Sequence, residues 1–216
     1  MTATSTTNFK KSIPKNKVLR FGDLEIVNLI PDLSEEEFID FCLHNPNLKI
    51  EQDKTGNLII MSPVSLDSGN YESEIGIDLG LWNRKTKLGK TYSSSTMFIL
   101  PDGEKRMPDA AWISKEKVKK LSRWQRKKIA KIVPDFIVEV RSPTDKPKDL
   151  KAKIKDIWIK NGVQLAWLID PIKEVHWIFR IDGSQEKVEG MDAILTGEKV
   201  LPDFKFDLSI LIDEED

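Results

Sequence analysis

The chain has 216 residues, enough for one sizeable domain with its own core or for two small ones. Lys and Arg (34) balance Asp and Glu (35) to a formal net charge of −1, so no overall field draws the chain to nucleic acid or to a membrane, although basic residues cluster between Lys115 and Lys160. One cysteine, Cys42, excludes an internal disulfide framework and a Cys-based zinc site, and reads as a small buried apolar residue in a reducing compartment. No apolar run is long enough to span a bilayer and the N-terminus lacks a signal-peptide core, so the expectation is a soluble, cytoplasmic protein with no membrane partner.

In chain order, residues 1–20 are rich in Thr, Ser, Asn and Lys and read as a flexible tail, with residues 21–212 as a single domain. A half-apolar stretch from Phe21 to Ile30 leads to Pro31. Ser34-Glu-Glu-Glu37 has capping-box spacing and opens a short helix that ends near Asn45-Pro46. Leu48–Gln52 and Asn57–Met61 flank Asp53-Lys-Thr-Gly56 and predict a hairpin. Ile75, Leu79 and Trp82 recur at helical spacing in a helix from Ser68 to Leu88, with Leu88-Gly89 as its stop. One or two strands follow between Lys90 and Leu100, then a turn at Pro101-Asp-Gly103 and a strand from Arg106 to Ile113. The basic stretch from Ser114 to Lys131 reads as one or two short helices. Phe136 to Val140 is a buried strand, and a helix with Leu150, Ile154, Ile157 and Trp158 on its apolar stripe runs from about Asp145 to Asn161-Gly162. Gln164–Ile169 and Val175–Ile181 form a second hairpin, and small strands close the chain. Strands mixed with early, middle and late helices predict an α/β (α+β) fold.

One residue breaks this pattern. Glu139 stands inside the apolar run Phe136-Ile-Val-Glu-Val140, where an unpaired carboxylate carries a desolvation penalty of several kcal/mol, on the order given for buried ions. Upstream, Asp109 follows Pro108 at the head of Ala110-Ala-Trp112. If the two strands pair, both acids meet at one end of a sheet. Carboxylate oxygens with water suit Mg²⁺ or Mn²⁺, and a lysine beside them can orient water or stabilise negative charge on phosphorus. That is the chemistry of metal-assisted phosphodiester hydrolysis.

Pro108-Asp109 followed by Glu139-Val-Arg141 resembles the PD-(D/E)xK nuclease pattern, with Arg141 where the motif lysine stands. Pro134 to Asp145, the lysine-rich helix after it, Asn161-Gly-Val-Gln-Leu-Ala-Trp-Leu-Ile-Asp-Pro171, Asn57-Leu-Ile-Ile-Met-Ser-Pro63 and Ser95 to Gly103 together resemble the Uma-two family of restriction-endonuclease-like proteins. The resemblance spans roughly Phe21 to Leu211. It implies a restriction-endonuclease-like mixed β-sheet flanked by helices, with an N-terminal helix and β-hairpin extension. It implies an endonuclease that hydrolyses DNA with Mg²⁺ (or Mn²⁺), Asp109 and Glu139 as metal-binding acids, and a helix glutamate completing the metal set. Glu74 is the match chosen in Glu72-Ser-Glu-Ile75. The catalytic lysine is expected on the helix after the strand, at Lys153, with Lys151 and Lys155 as alternatives, because arginine does not readily deprotonate. A catalytically inactive nucleic-acid-binding relative is the alternative. Endonucleases that cut both strands commonly work as two-fold dimers, so a homodimer is expected, with the Leu48–Met61 hairpin as one candidate surface. Trp82, Trp158 and Trp167 read as packing residues, His44 and His176 as structural, and the Lys115–Lys131 segment as either a solvated face or a DNA-backbone contact.

Overall fold

The computed structural model describes residues 33–212; the expected tail, the 21–30 stretch and the acidic end at 213–216 lie outside the described residues. Helix α1 (Glu35–His44) starts as its sequence dictates: the Ser34 hydroxyl accepts from the Glu37 amide while the Glu37 carboxylate accepts from the Ser34 amide at 2.9 Å. The hairpin of β1 (Lys49–Gln52) and β2 (Leu58–Met61) follows, antiparallel with Ile50 opposite Ile60. Phe38 of α1 packs on Ile50 and Leu58 in a small core of its own, against which a half-buried Cys42 rests.

Helix α2 (Leu66–Thr86) ends on Lys87, whose φ of 57° makes it the left-handed cap; Gly89, expected as the stop, instead begins β3 (Gly89–Ser93). A Cβ on Gly89 would lie 2.2 Å from the Ile113 carbonyl oxygen, so close strand packing demands glycine there. Two glycines in the interior of α2, Gly76 and Gly80, have nothing within 4 Å of a Cβ position, although each costs the helix about 1 kcal/mol relative to alanine.

The expected single strand from Arg106 to Ile113 is two. After β4 (Phe98–Ile99), β5 (Lys105–Arg106) belongs to a five-stranded sheet of order β2-β1-β5-β4-β7, in which β7 is Ala130–Lys131, whereas β6 (Ala110–Ser114) belongs to a six-stranded one. The break falls at Met107-Pro108-Asp109, where Pro108 has no N–H to give a ladder. The basic stretch forms α3 (Lys115–Lys119), a 3₁₀ turn (Gln125–Lys127) and β7 (Ala130–Lys131).

Strand β8 (Phe136–Val140) is buried throughout. Next come α4 (Pro147–Ala152), β9 (Leu165–Ile169), β10 (Val175–Arg180), β11 (Gln185–Glu189), β12 (Ile194–Thr196) and β13 (Lys205–Asp207). The six-stranded sheet runs β11-β10-β9-β8-β6-β3, with β8 and β9 parallel and the other neighbours antiparallel. This is a mixed α/β architecture of several sheets flanked by helices.

Alternation along the central strands divides the core. Phe136, Val138, Ala110, Trp112 and Trp167 face α2 and the segment around Phe204 and Phe206. Ile137, Ala111, Ile113, Ala166 and Leu168 face the helical layer after β8. A fully buried aliphatic or aromatic side chain contributes about 1.5–3 kcal/mol, so both faces are strongly held. The helical layer departs from expectation. Past Ala152 the α-helix becomes a π-helical segment, Lys153–Ile159, in which the Lys160 amide donates to the Lys155 carbonyl and the Val163 amide to the Trp158 carbonyl, each five residues back.

Candidate active site

The exit of β5 and the pairing of β6 with β8 position the first acid. Ala110 lies opposite Val138, so Asp109, one residue before β6, comes level with Glu139 at the same end of the sheet. The Asp109 amide donates to the Val138 carbonyl at 3.0 Å, and the Val140 amide donates to Asp109 Oδ2 at 2.7 Å. Glu139 takes the next position after Ile137 on the π-segment face. It is 4 % exposed and fully partnered: Lys153 Nζ lies 2.9 Å from Oε1 and donates to Oε2 at 3.0 Å, and Trp158 Nε1 donates to Oε1 at 2.7 Å.

The π segment explains this convergence. In an α-helix, residues five apart point about 140° away from each other, given 3.6 residues per turn. The wider i→i+5 turn swings Lys153 and Trp158 onto one face. Trp158, expected as packing alone, therefore does both jobs: its ring is buried in the core and its N–H holds the acid. Lys151 is elsewhere, its ammonium 3.5 Å from the Trp177 ring centroid, and Lys155 is exposed. Arg141 turns away from the acids. Its guanidinium donates to both Asp170 oxygens at 3.0 and 3.2 Å and its Nε donates to the Asp145 carbonyl at 3.2 Å.

Two further acids approach. Glu51, on the hairpin extension, is 2 % exposed; its Oε1 accepts from the Met107 amide at 2.6 Å and lies 3.9 Å from Lys153 Nζ, while Oε2 pairs with Arg106 at 3.0 Å. On α2 it is Glu72 that lines the same cleft as Asp109. Glu74 does not. Two residues further along a helix is a turn of roughly 200°, which puts Glu74 on the opposite flank from Glu72. Neither Glu51 nor Glu72 is among the residues the sequence leads one to expect here. Glu72 left a signal, standing three and seven residues before the core positions Ile75 and Leu79; Glu51 left none in Lys49-Ile-Glu-Gln52.

The electrostatics follow from one ammonium among several acids. Burial, then the charges of Glu139 and Glu72, push the Asp109 carboxyl well above the ordinary aspartate value. Burial also raises Glu139, although Lys153 pulls it back. Burial alone would depress the Lys153 ammonium, but Glu139, Glu51 and Asp109 outweigh it and hold its pKa above that of an ordinary lysine. Lys153 is thus a permanent cation at any physiological pH. It can stabilise negative charge and orient a hydrogen-bond acceptor, but it has no lone pair with which to take a proton. Among the described residues no three His, Cys, Asp or Glu side chains converge tightly enough to form a ready-made metal cluster. The basic stretch is exposed, with Lys128 Nζ 3.8 Å from the ring centroid of an exposed Trp124.

A family model described as "Uma2: Putative restriction endonuclease" matches residues 35–209. The chain belongs to the Uma2 family. Among solved structures it is similar to one described as a putative nuclease belonging to DUF820 from Anabaena variabilis ATCC 29413, with 18 % sequence identity and a TM-score of 0.63 over 75 % of this chain and 88 % of that one. At that identity the likeness speaks for the fold alone. Among curated proteins nothing matches the chain. Among the described residues of this Uma2 chain no helix is long and apolar enough to cross a membrane.

Proposed function

We propose that this chain is a metal-dependent endonuclease that hydrolyses DNA phosphodiester bonds, with Asp109 and Glu139 as its acids and Lys153 as its cation, working as a homodimer. The observation that carries the reading is the meeting of Glu139 with Lys153 at 2.9 Å beside Asp109, where repulsion from Glu139 and Glu72 adds to burial in raising the aspartate. Such crowding of acids around one cation is what a site built to receive further positive charge looks like. The donors are all hard carboxylate oxygens, and Mg²⁺ uses one or two carboxylates while keeping several waters, so this donor set fits Mg²⁺ or Mn²⁺ without a third preformed side-chain ligand. Asp109 and Glu139 would hold the ion, with Glu72 rather than Glu74 as the helix carboxylate on their side. When bound, such an ion lowers the pKa of a water and neutralises charge on the phosphate.

The chain's own groups divide the remaining work. Lys153 presents a fixed positive charge toward a phosphate oxygen and stabilises the charge that grows on it. Trp158 fixes the rotamer of Glu139. Glu51 keeps Lys153 from swinging out. A second reading, a nucleic-acid-binding relative without turnover, is favoured by one observation: Lys153 engages both Glu139 oxygens, which closes that carboxylate unless the pair opens.

Plasmid nicking with Mg²⁺ or Mn²⁺ separates the two. The nuclease reading expects cleavage that is lost in Asp109→Ala and in Glu139→Ala. Cleavage surviving both changes overturns the site assignment, and no cleavage with no metal binding by calorimetry supports the inactive relative.

A further inference from the structure

Asp109 opens on a cleft of ≈ 720 Å³ that runs away from it between α2 and β3. Its α2 wall is unusual. Gly76 and Gly80 line it in mid-helix, and nothing within the described structure comes within 4 Å of a Cβ built on either. Internal packing therefore gives no reason for glycine at two positions where glycine weakens the helix. Glycine is also the residue used where another backbone must come close.

The opposite wall is β3, the edge strand of the six-stranded sheet, so among the described residues its outer N–H and C=O groups have no strand to pair with. The lining adds the hydroxyl residues Ser73, Thr91 and Ser93. At the end of the cleft away from Asp109 stand Arg84 and Lys90, both exposed, and neither forms an ion pair among the described residues. The cleft is thus negative where the acids are, cationic farther along, polar between, and shallow-walled at the two glycines.

We propose that this cleft seats an extended, unpaired stretch of polynucleotide beside the phosphate that is cut, with its backbone against Gly76 and Gly80 and its flanking phosphates at Arg84 and Lys90. The proposal rests on the nuclease reading for the position of the cut, but not for binding itself. The volume is in the range of pockets that take one small ligand, roughly 300–1,000 Å³, which suits a short piece of one strand rather than a duplex. Backbone N–H groups, hydroxyls and Arg or Lys are the groups that contact phosphates without reading sequence.

Binding is read by fluorescence anisotropy of a labelled single-stranded oligonucleotide, on the full chain without divalent ions, so that turnover is not needed. Gly76→Leu with Gly80→Leu fills the cleft with better helix formers. It is expected to weaken binding at least about tenfold while melting no lower than the parent. Arg84→Ala with Lys90→Ala, both on the surface, is expected to flatten the dependence of log K on log salt by about 1.4, from two contacts at roughly 0.7 each for a single strand. Unchanged affinity in the leucine variant together with an unchanged salt slope overturns the proposal. So does a leucine variant that dissociates a dimer in light scattering yet binds the oligonucleotide normally, because the β3 edge then serves a second copy of the chain. Loss of cleavage in Asp109→Ala with oligonucleotide binding untouched by either groove variant keeps the nuclease and rejects the groove. Groove-dependent binding without cleavage of any nucleic acid does the reverse.

Discussion

Glu139 and Asp109 sit level on adjacent strands, yet their surroundings are opposite. Glu139 receives an ammonium and an indole N–H, and the hairpin and π segment close over it. Asp109 receives one backbone N–H, faces a second acid on α2, and opens to a cleft. The same chemical group is therefore closed in by side-chain donors on one strand and short of them on the next. Burial by itself therefore does not decide how an acid is held; the balance of partners does.

The largest expected effect comes from the satisfied acid. Glu139→Ala leaves a largely enclosed Lys153 with only the more distant Glu51 and Asp109 to balance it, and breaking a buried pair from one side costs about 3–5 kcal/mol. Calorimetry should show a melting temperature lower by roughly 10 °C, at about 2–4 °C per kcal/mol for a chain of this size. A drop of a degree or two means the pair contributes little and the contrast fails. Next, Trp158→Phe deletes a hydrogen bond to a charged acceptor and leaves a void beside the smaller ring, for a loss of at least about 1.5–3 kcal/mol in denaturant unfolding.

The open acid should answer with the opposite sign. A carboxyl whose pKa is higher folded than unfolded binds more protons in the native state between those two values, so stability falls as pH rises through that window. Asp109→Asn removes the repulsion and should raise the melting temperature at pH 8, with the gain shrinking as pH falls toward the ordinary aspartate range. A destabilised Asp109→Asn at pH 8 contradicts the comparison. In the parent chain, added Mg²⁺ should raise the melting temperature more at pH 8 than at pH 5, and this gain should vanish in Asp109→Asn. The smallest test separates two helix glutamates. Glu72→Gln should slightly stabilise the chain at pH 8 by relieving Asp109, whereas Glu74→Gln should stay within about 0.5 kcal/mol.

Much of this was legible beforehand where the cause is local. The capping box at Ser34 and Glu37, the hairpin turn at Asp53 to Gly56 and the acid in Phe136–Val140 are written in neighbouring residues. Lys153 could be chosen over Arg141 because arginine is a poor substitute for the motif lysine, and the structure gives Arg141 a partner of its own in Asp170. What stayed hidden depends on distant chain. Glu51 looks solvent-facing in an alternating strand until Arg106, 55 residues on, covers that face. The split of the expected Arg106–Ile113 strand arises because two sheets claim its halves. The placement of Glu72 rather than Glu74 needed the rotation of α2, which Ile75, Leu79 and Trp82 do specify. The π segment had no periodic signature, since Leu150, Ile154, Ile157 and Trp158 suit an α-helix equally well.

That segment makes the site sensitive to chain length in a way that few substitutions can mimic. A five-residue hydrogen-bond ring is an α-turn with one residue too many. Deleting an exposed member, Lys155 or Asp156, lets the turn tighten to the ordinary spacing while helix content is preserved. Lys153 and Trp158 then stand four apart with their relation to Glu139 reset, and every residue upstream is rotated by about 100° against those downstream. The helix behaves as a ratchet with a missing tooth: the pawl holds only while the count is kept, so a one-codon loss is more damaging to this centre than most replacements within it.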